Sequence, residues 1–242
     1  QNGVRPYDGL LINDVYTTTV SWRVDSLKVR GFFMTPSEPD MILENVTRFS
    51  TMEDYAGALR AKYRTKYNQV AERSKDLQVI DYSNWSEAPT EAMYPLYVNI
   101  MLAVDFYIQL MSPAYFQIER NTSSSLPKLR TYSVGDEVIG WISWFEDDNR
   151  IHAHLIGLNH KRARRFKAYH RILYDLVELG IEHKKDMVCY GRTSQQAKSN
   201  VGAQPNAMAS AVYHRRRSMR YLMKSFTQSV ELDTENTRQA FR

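Results

Sequence analysis

The sequence predicts an α+β fold, with a central, mostly antiparallel mixed sheet flanked by helices. Three observations lead there. Residues 130–158 alternate apolar runs with turn signals at Gly135-Asp136 and Asp147-Asp148-Asn149, the pattern of a three-strand antiparallel meander. The segments before and after it carry apolar residues at helical spacing. A short apolar run, "MVCY" at 187–190, follows the last of these segments and reads as one more, buried strand. No internal repeat is present, which argues against an array.

In chain order, residues 1–46 mix Gly, Pro and aromatics with the β-type runs "VYTTTVSW" and "MILENV", separated by the turn chemistry of "TPSEP". Residues 1–49 are therefore read as strands and loops, the remnant of a preceding lobe, ahead of a main domain over 50–242. Ser50 followed by Glu53 gives a capping box, and Tyr55, Leu59, Tyr63, Tyr67 and Val70 then recur on one helical face. Arg60, Lys62, Arg64 and Lys66 make the opposite face basic. "LQVIDY" predicts a strand. The apolar stretch after it puts Leu96, Ile100, Met101, Val104, Ile108 and Met111 on a helical stripe, with Pro95 in its first turn or dividing it. "RNTSSSLPK" is the most loop-like segment. Residues 169–184 form an amphipathic helix through Ile172, Leu173, Leu176, Val177 and Ile181. After "MVCY", Thr193 or Ser194 can cap a short helix that Gly202 and Pro205 stop.

Composition sets the bounds. The chain has 242 residues, 43% of them hydrophobic and 12% aromatic, which is ample for a core and excludes general disorder. Thirty-two Lys and Arg against 27 Asp and Glu leave a net charge of +5 and a pI near 9.2, which suits anionic partners. A single cysteine, Cys189, allows no intrachain disulfide and favours a reducing, cytoplasmic address. No apolar run approaches the ~20 residues that span a bilayer, and no leader opens the chain. The start at Gln1 suits a fragment.

Candidate chemistry is spread over several stretches. In "IHAHLIGL", His152 and His154 at i and i+2 point to one face of a strand, as structural or solvent-facing groups or as a proton-transfer pair. No further ligand motif accompanies them, so no metal is expected. "NHKRARRFKAYH" is a basic loop between a strand and a helix, either a solvated surface or an anion site. No Walker loop and no dinucleotide glycine fingerprint occurs. Cys189 lies in an apolar strand and no nucleophile elbow is present, so covalent catalysis is disfavoured. Tyr190, Tyr169, Tyr115 and Asp105 are further proton-transfer candidates. The run His214 to Arg217 before "MRYLMKSF" marks a terminal helix with RNA or membrane surface as alternative contacts.

Four stretches in order, "STMEDYAGALRAKYRTKYNQV", "AMYPLYVNIMLAVDFYIQLMSPAYF", "YHRILYDLVELGIEH" and "CYGRTSQQAKSNVGAQP", together resemble the GNAT acyltransferase superfamily. Within it they are similar to the branch of Fem-type peptidyltransferases and "peptidoglycan biosynthesis/recognition" proteins. The resemblance covers about 27–205. It implies an N-acyltransferase that uses acyl-CoA, or aminoacyl-tRNA in Fem-type members, and an amine-bearing acceptor, with tRNA or RNA as a partner.

The resemblance places strand 187–190, and the chemistry of an amine attacking a thioester or ester suggests roles around it. Strand 187–190 would line the transfer cleft, with His152 or His154 deprotonating the amine through water and Arg192 binding the oxyanion or a carboxylate. Tyr190 would protonate the leaving group. Asn159, Lys161, Arg162, Arg164, Arg165 and Lys198 would bind the donor or other anions. Ordinary acetyltransferases carry Gln or Arg, two residues, then Gly-x-Gly or Gly-x-Ala at the pyrophosphate turn; here "NHKRARRFKAY" has no glycine. Cations replacing that cradle, or altered CoA binding, are the two consequences. The alternative to an enzyme is a non-catalytic module of the same fold that binds RNA, an anionic surface or a protein.

Overall fold

In the computed structural model, residues 7–17, 21–83, 85–103, 110–117, 127–228 and 238–241 are described. Asp105, Val104, Ile108 and most of "RNTSSSLPK" lie outside them. The first part of the chain gives β1 (Gly9–Tyr16), α1 (Ser21–Val29), β2 (Phe33–Leu43), α2 (Met52–Ala58), α3 (Ala61–Ser74), β3 (Gln78–Tyr82), α4 (Thr90–Met101) and α5 (Pro113–Gln117). The rest gives β4 (Lys128–Val134), β5 (Glu137–Glu146), β6 (Arg150–Leu158), α6 (His160–Phe166), α7 (Ala168–Glu182), β7 (Met187–Cys189), α8 (Gln195–Ser199), β8 (Gln204–His214) and α9 (Arg217–Gln228).

Alternation along the strands builds one eight-stranded sheet in the order β1-β8-β2-β7-β6-β5-β4-β3. Every pairing is antiparallel except β6 with β7, which run parallel through the α6–α7 crossover. On β5, Trp141 faces one layer and Ile142 the other. The first layer packs Trp85, Met93, Leu96 and Phe116 of α4, α5 and the loop before them. The second packs Tyr55, Leu59, Tyr63 and Val70 of α2 and α3 with the α7 stripe Ile172, Leu173, Leu176 and Val177. Each of these buried aliphatic side chains contributes about 1.5–3 kcal/mol relative to exposure.

The fold class, the meander, β3, α7 and β7 match the sequence expectation; several local readings do not. "TPSEP" is strand, not turn: Thr35 to Ser37 pair with Ser210 to Met208 of β8, and the register shifts between Ser37 and Asp40. Prolines are tolerated there because β7 meets β2 only at Ile42 and Leu43, which leaves the proline half with one partner. The single helix expected from Ser50 is two. Thr51, not Ser50, caps the first by accepting from Asp54 N at 3.2 Å. The break follows because Leu59 forms a bridge with Phe241 and Arg60 N donates to Ala240 O at 2.9 Å. Residues 21–29, begun inside a β-type run, are helical, and α4 continues unbroken through Pro95. The basic loop at 160–166 is itself the helix α6, capped by Asn159 Oδ1 accepting from Arg162 N at 3.2 Å.

A buried polar cluster pins α7 to the sheet. Asp175, 3% exposed, accepts from Tyr132 Oη of β4 at 2.8 Å and from Arg171 Nε, and Arg130 Nη1 lies 3.6 Å away. Burial, then the Asp175 charge, pushes the Tyr132 hydroxyl well above its ordinary pKa, so it remains a donor. Breaking one member of a buried ionic cluster costs more than the pair contributes, because the partners keep their desolvation penalty. Asp175→Ala is expected to lower unfolding free energy by about 3–5 kcal/mol in urea denaturation; a loss below ~1 kcal/mol would show that apolar packing alone positions α7.

Candidate active site

The parallel ladder between β6 and β7 is short, pairing Arg150 to His152 with Met187 to Cys189. Beyond that point β6 runs on to Leu158, while the chain after Cys189 bends toward β2: Tyr190 N donates to Met41 O at 2.9 Å and Met41 N to Gly191 O at 3.2 Å. The strands part, and a cavity of about 410 Å³ fills the gap. Its walls include Ala153, His154 and Ile156 of β6, Ile172 and Leu173 of α7, and Tyr190 to Ser194.

The bend is held at one peptide unit on each side of Gly191, whose φ of 79° is the left-handed region that favours glycine. Gly191 N donates to Asp40 Oδ1 at 2.8 Å, and Gly191 O accepts from Lys198 Nζ at 2.9 Å. Tyr16 Oη donates to the other Asp40 oxygen at 2.7 Å. Asp40 and Lys198 are 5% and 4% exposed, so both charges are buried and bonded.

His154 lines the cleft where β6 bulges. Ile142 pairs with Ile156 but Trp144 with Ala153, so His154 and Leu155 together oppose Ser143. The Ser143 hydroxyl fills the gap, 3.1 Å from His154 Nδ1 and accepting from Leu155 N at 3.1 Å. The ring of Phe145 stacks edge-on to His154 at 4.8 Å. Both histidines neighbour Phe145, His152 as its ladder partner and His154 edge-on. His152 stays at the rim, where Nε2 lies 3.0 Å from Asp147 Oδ2, and does not line the cavity.

The other predicted residues fall into two groups. Tyr190, Arg192 and Lys198 line the cleft with His154. The Tyr190 hydroxyl is buried, donates to Leu173 O at 3.0 Å, and is pushed well above its ordinary pKa by burial and by the neighbouring Tyr174. Arg192 is half-exposed and pairs with Asp14 at 3.3 Å. Burial pushes the Cys189 thiol up to about 12, so it is no thiolate nucleophile. A second cavity of about 320 Å³ shares Ile100, His160, Tyr169 and Ser194 with the first and adds Arg164, Lys167 and His170. Of the lysines and arginines on α6, only Arg164 lines it. Lys161 and Arg165 do not, Asn159 is the helix cap, and Arg162 is held by Glu137 Oε2 at 2.6 Å.

Sequence reading missed Asp40; His160, Lys167 and His170 fall within the stretch "NHKRARRFKAYH", where neither histidine was singled out. Lys167 adopts φ 55° between α6 and α7, the place where a glycine would sit without strain. Among the described residues no cluster of three or more His, Cys, Asp or Glu could hold a metal, and no helix is long and apolar enough to cross a membrane.

A mixed sheet with one parallel pair that parts over a cleft, crossed by a helix whose start is cationic, is the architecture of the GNAT fold. A crystal structure of FemX matches with a TM-score of 0.61 at 10% identity, covering 90% of this chain and 74% of that one. The L-PGS of Bacillus licheniformis matches at 0.58 and 12% identity, covering 90% and 71%. A conserved protein of unknown function from Bacteroides thetaiotaomicron matches at 0.55 and 13%, covering 84% and 69%. The likeness is one of fold. No protein-family model matches the sequence, and no curated protein does.

His170 supplies a pH signature of this site. Burial, then Lys167 and Lys66, lower its pKa below the ordinary 6.5. The unfolded chain therefore binds more protons than the folded one between the lowered value and 6.5, and the stabilising contribution present above 6.5 is lost as pH falls. Thermal unfolding between pH 7 and pH 5 should show a steeper loss in the wild type than in His170→Gln; equal slopes would remove His170 from the cationic site.

Proposed function

We propose that this protein is an N-acyltransferase that moves an acyl or aminoacyl group from an activated donor to an amine by direct attack. The observation that carries the reading is the parting of β6 and β7, which leaves a cleft between a histidine on one wall and an arginine on the other. Its cationic extension at Arg164, Lys167 and His170 suits a phosphate-bearing donor, acyl-CoA or aminoacyl-tRNA. The names of two similar structures, FemX and L-PGS, favour keeping the aminoacyl donor beside the thioester.

On this reading the reaction needs an unprotonated amine, a near-attack geometry and a donor for the developing oxyanion. His154 takes the proton of the attacking amine through water, with its ring oriented by Ser143 and Phe145. The amine nitrogen bonds to the carbonyl carbon, the carbonyl oxygen becomes an oxyanion beside Arg192, and collapse expels the thiolate or ribose oxygen. Tyr190 retains its proton over the working pH range and can deliver it to the leaving group after leaving the Leu173 carbonyl. Lys198 holds the Gly191 turn from which Tyr190 and Arg192 project. Lys161, Arg162 and Arg165 serve the approach of the anionic donor from the outer face of α6. His152, tied to Asp147, stands as the alternative base at the rim.

Thermal unfolding in the presence of CoA, an acyl-CoA panel and aminoacyl-tRNA tests the donor. A donor at about 100 times its dissociation constant should add ~2.7 kcal/mol of apparent stability. A shift with thioesters identifies acyl-CoA, and a shift only with aminoacyl-tRNA identifies that donor. No shift with either would point to a non-catalytic module. With the donor in hand, His154→Ala should lower the transfer rate by about 10²–10⁴-fold. A full rate in His154→Ala, with a fall in His152→Ala, would move the base to the rim.

A further inference from the structure

Helical spacing along α9 puts Met219, Leu222 and Met223 on one side and Arg217, Arg220 and Lys224 on the other. A helix of this pattern ordinarily buries its apolar side. Here the contact with the body runs through Arg220, which is half-buried: its Nη1 donates to Gly31 O at 3.3 Å and its guanidinium lies 5.2 Å from the centre of the Tyr213 ring. Met219 and Leu222 are 38% and 64% exposed. No described side chain of α9 belongs to any of the three apolar clusters.

The surroundings extend this surface. Arg215 N donates to Asp8 O at 2.8 Å, which sets the start of α9 beside the start of β1, where Tyr7 and Leu10 are exposed. The bond from Arg220 to Gly31 likewise brings the exposed Val29 at the end of α1 close. The charge is of one sign: no Asp or Glu occurs between Asp186 and Glu231 in the sequence. Arg216 and Arg217 have no carboxylate partner among the described residues, and Arg215 shares only an exposed pair with Asp8 at 3.0 Å.

We propose that α9 is a docking helix for an anionic lipid surface, with Met219 and Leu222 entering the headgroup region and the arginines of 215–217 at the lipid phosphates. The combination selects this partner. RNA would engage the arginines but leave exposed aliphatic side chains without a role. A second copy meeting on this face about a twofold axis would set the same cations against one another. The proposal is independent of the transfer reading.

The test is co-sedimentation of the full chain with vesicles of phosphatidylcholine alone and of phosphatidylcholine with about one part in three phosphatidylglycerol. Binding to the anionic vesicles only, weakened by salt and reduced by about tenfold or more in Leu222→Glu, is expected. Leu222 is mostly exposed, so that variant should keep the wild-type unfolding temperature. If it does not fold, Met219→Trp in the otherwise intact chain gives a separate reading, since the emission of the new tryptophan, on the face proposed to insert, should shift to the blue on anionic vesicles. No binding at low salt overturns the proposal. So does binding that Leu222→Glu leaves unchanged, which would be adsorption of charge alone, and so does a dimer in solution that Leu222→Glu dissociates.

Discussion

One glycine, gripped on both faces of its peptide units, sets the geometry on which the cleft depends. Between Cys189 and Arg192 the chain leaves β6 for β2, and this bend requires the left-handed φ of Gly191. Left to itself, a strand of the sequence Met187 to Tyr190 gains more by continuing its ladder with β6 than by stopping after Cys189. The Asp40 carboxylate and the Lys198 ammonium shift that balance by offering the freed amide and carbonyl charge-assisted bonds at 2.8 and 2.9 Å. Burial of either charge alone would be costly; with opposite charges on the two sides of one residue, each backbone group and each side chain is satisfied. The opening between the strands is therefore a built feature of the fold.

The second wall is shaped by another departure from regularity. One extra residue on β6 opposite Ser143 shifts the register beside His154, whose ring meets Phe145, while His152, the ladder partner of Phe145, is held by Asp147 at the rim. Serine is suited to the gap because its hydroxyl both accepts from Leu155 N and meets His154 Nδ1. The bulge also lets Ile151 and Ala153 before it, and Ile156 and Leu158 after it, pack into the same core. Packing and site geometry are thus set by a single inserted residue, as the twist and bend of bulged strands allow.

Much of the fold was legible because its signals are local. Alternation and short turns mark the meander, and the spacing of Ile172, Leu173, Leu176 and Val177 marks α7. β8 escaped notice: "QPNAMASAVYH" is rich in small residues with weak strand preference, and it becomes a strand because β1 and β2 pair with both of its edges. "TPSEP" misled for the complementary reason, since proline reads as turn unless an open strand edge accommodates it. In the site, Tyr190, Arg192 and Lys198 were legible as one contiguous stretch. Asp40 was not, because it lies some 150 positions from Gly191 in the chain and meets it only through the sheet. The different partners of His152 and His154 were hidden because they lie elsewhere, Asp147 in the turn for the one and Ser143 on the neighbouring strand for the other.

The cationic extension has an internal logic that bears on the missing glycine turn. Burial and the charges of Arg238, Lys62 and Lys167 hold the Lys66 pKa below its ordinary value, and Lys66 with Lys167 does the same to His170. These groups repel one another, and the bond from Lys66 Nζ to Asn200 Oδ1, at 3.1 Å, supplies a dipole but no opposing charge. Such repulsion is sustained by the fold and relieved by an anion, so binding of a phosphate group would be coupled to proton uptake at His170. A glycine-rich turn presents backbone N–H groups that do not titrate, whereas this arrangement presents side chains that do. On the proposed reading, replacing backbone donors by lysines and a histidine turns recognition of the donor from a contact of fixed polarity into one that strengthens as pH falls.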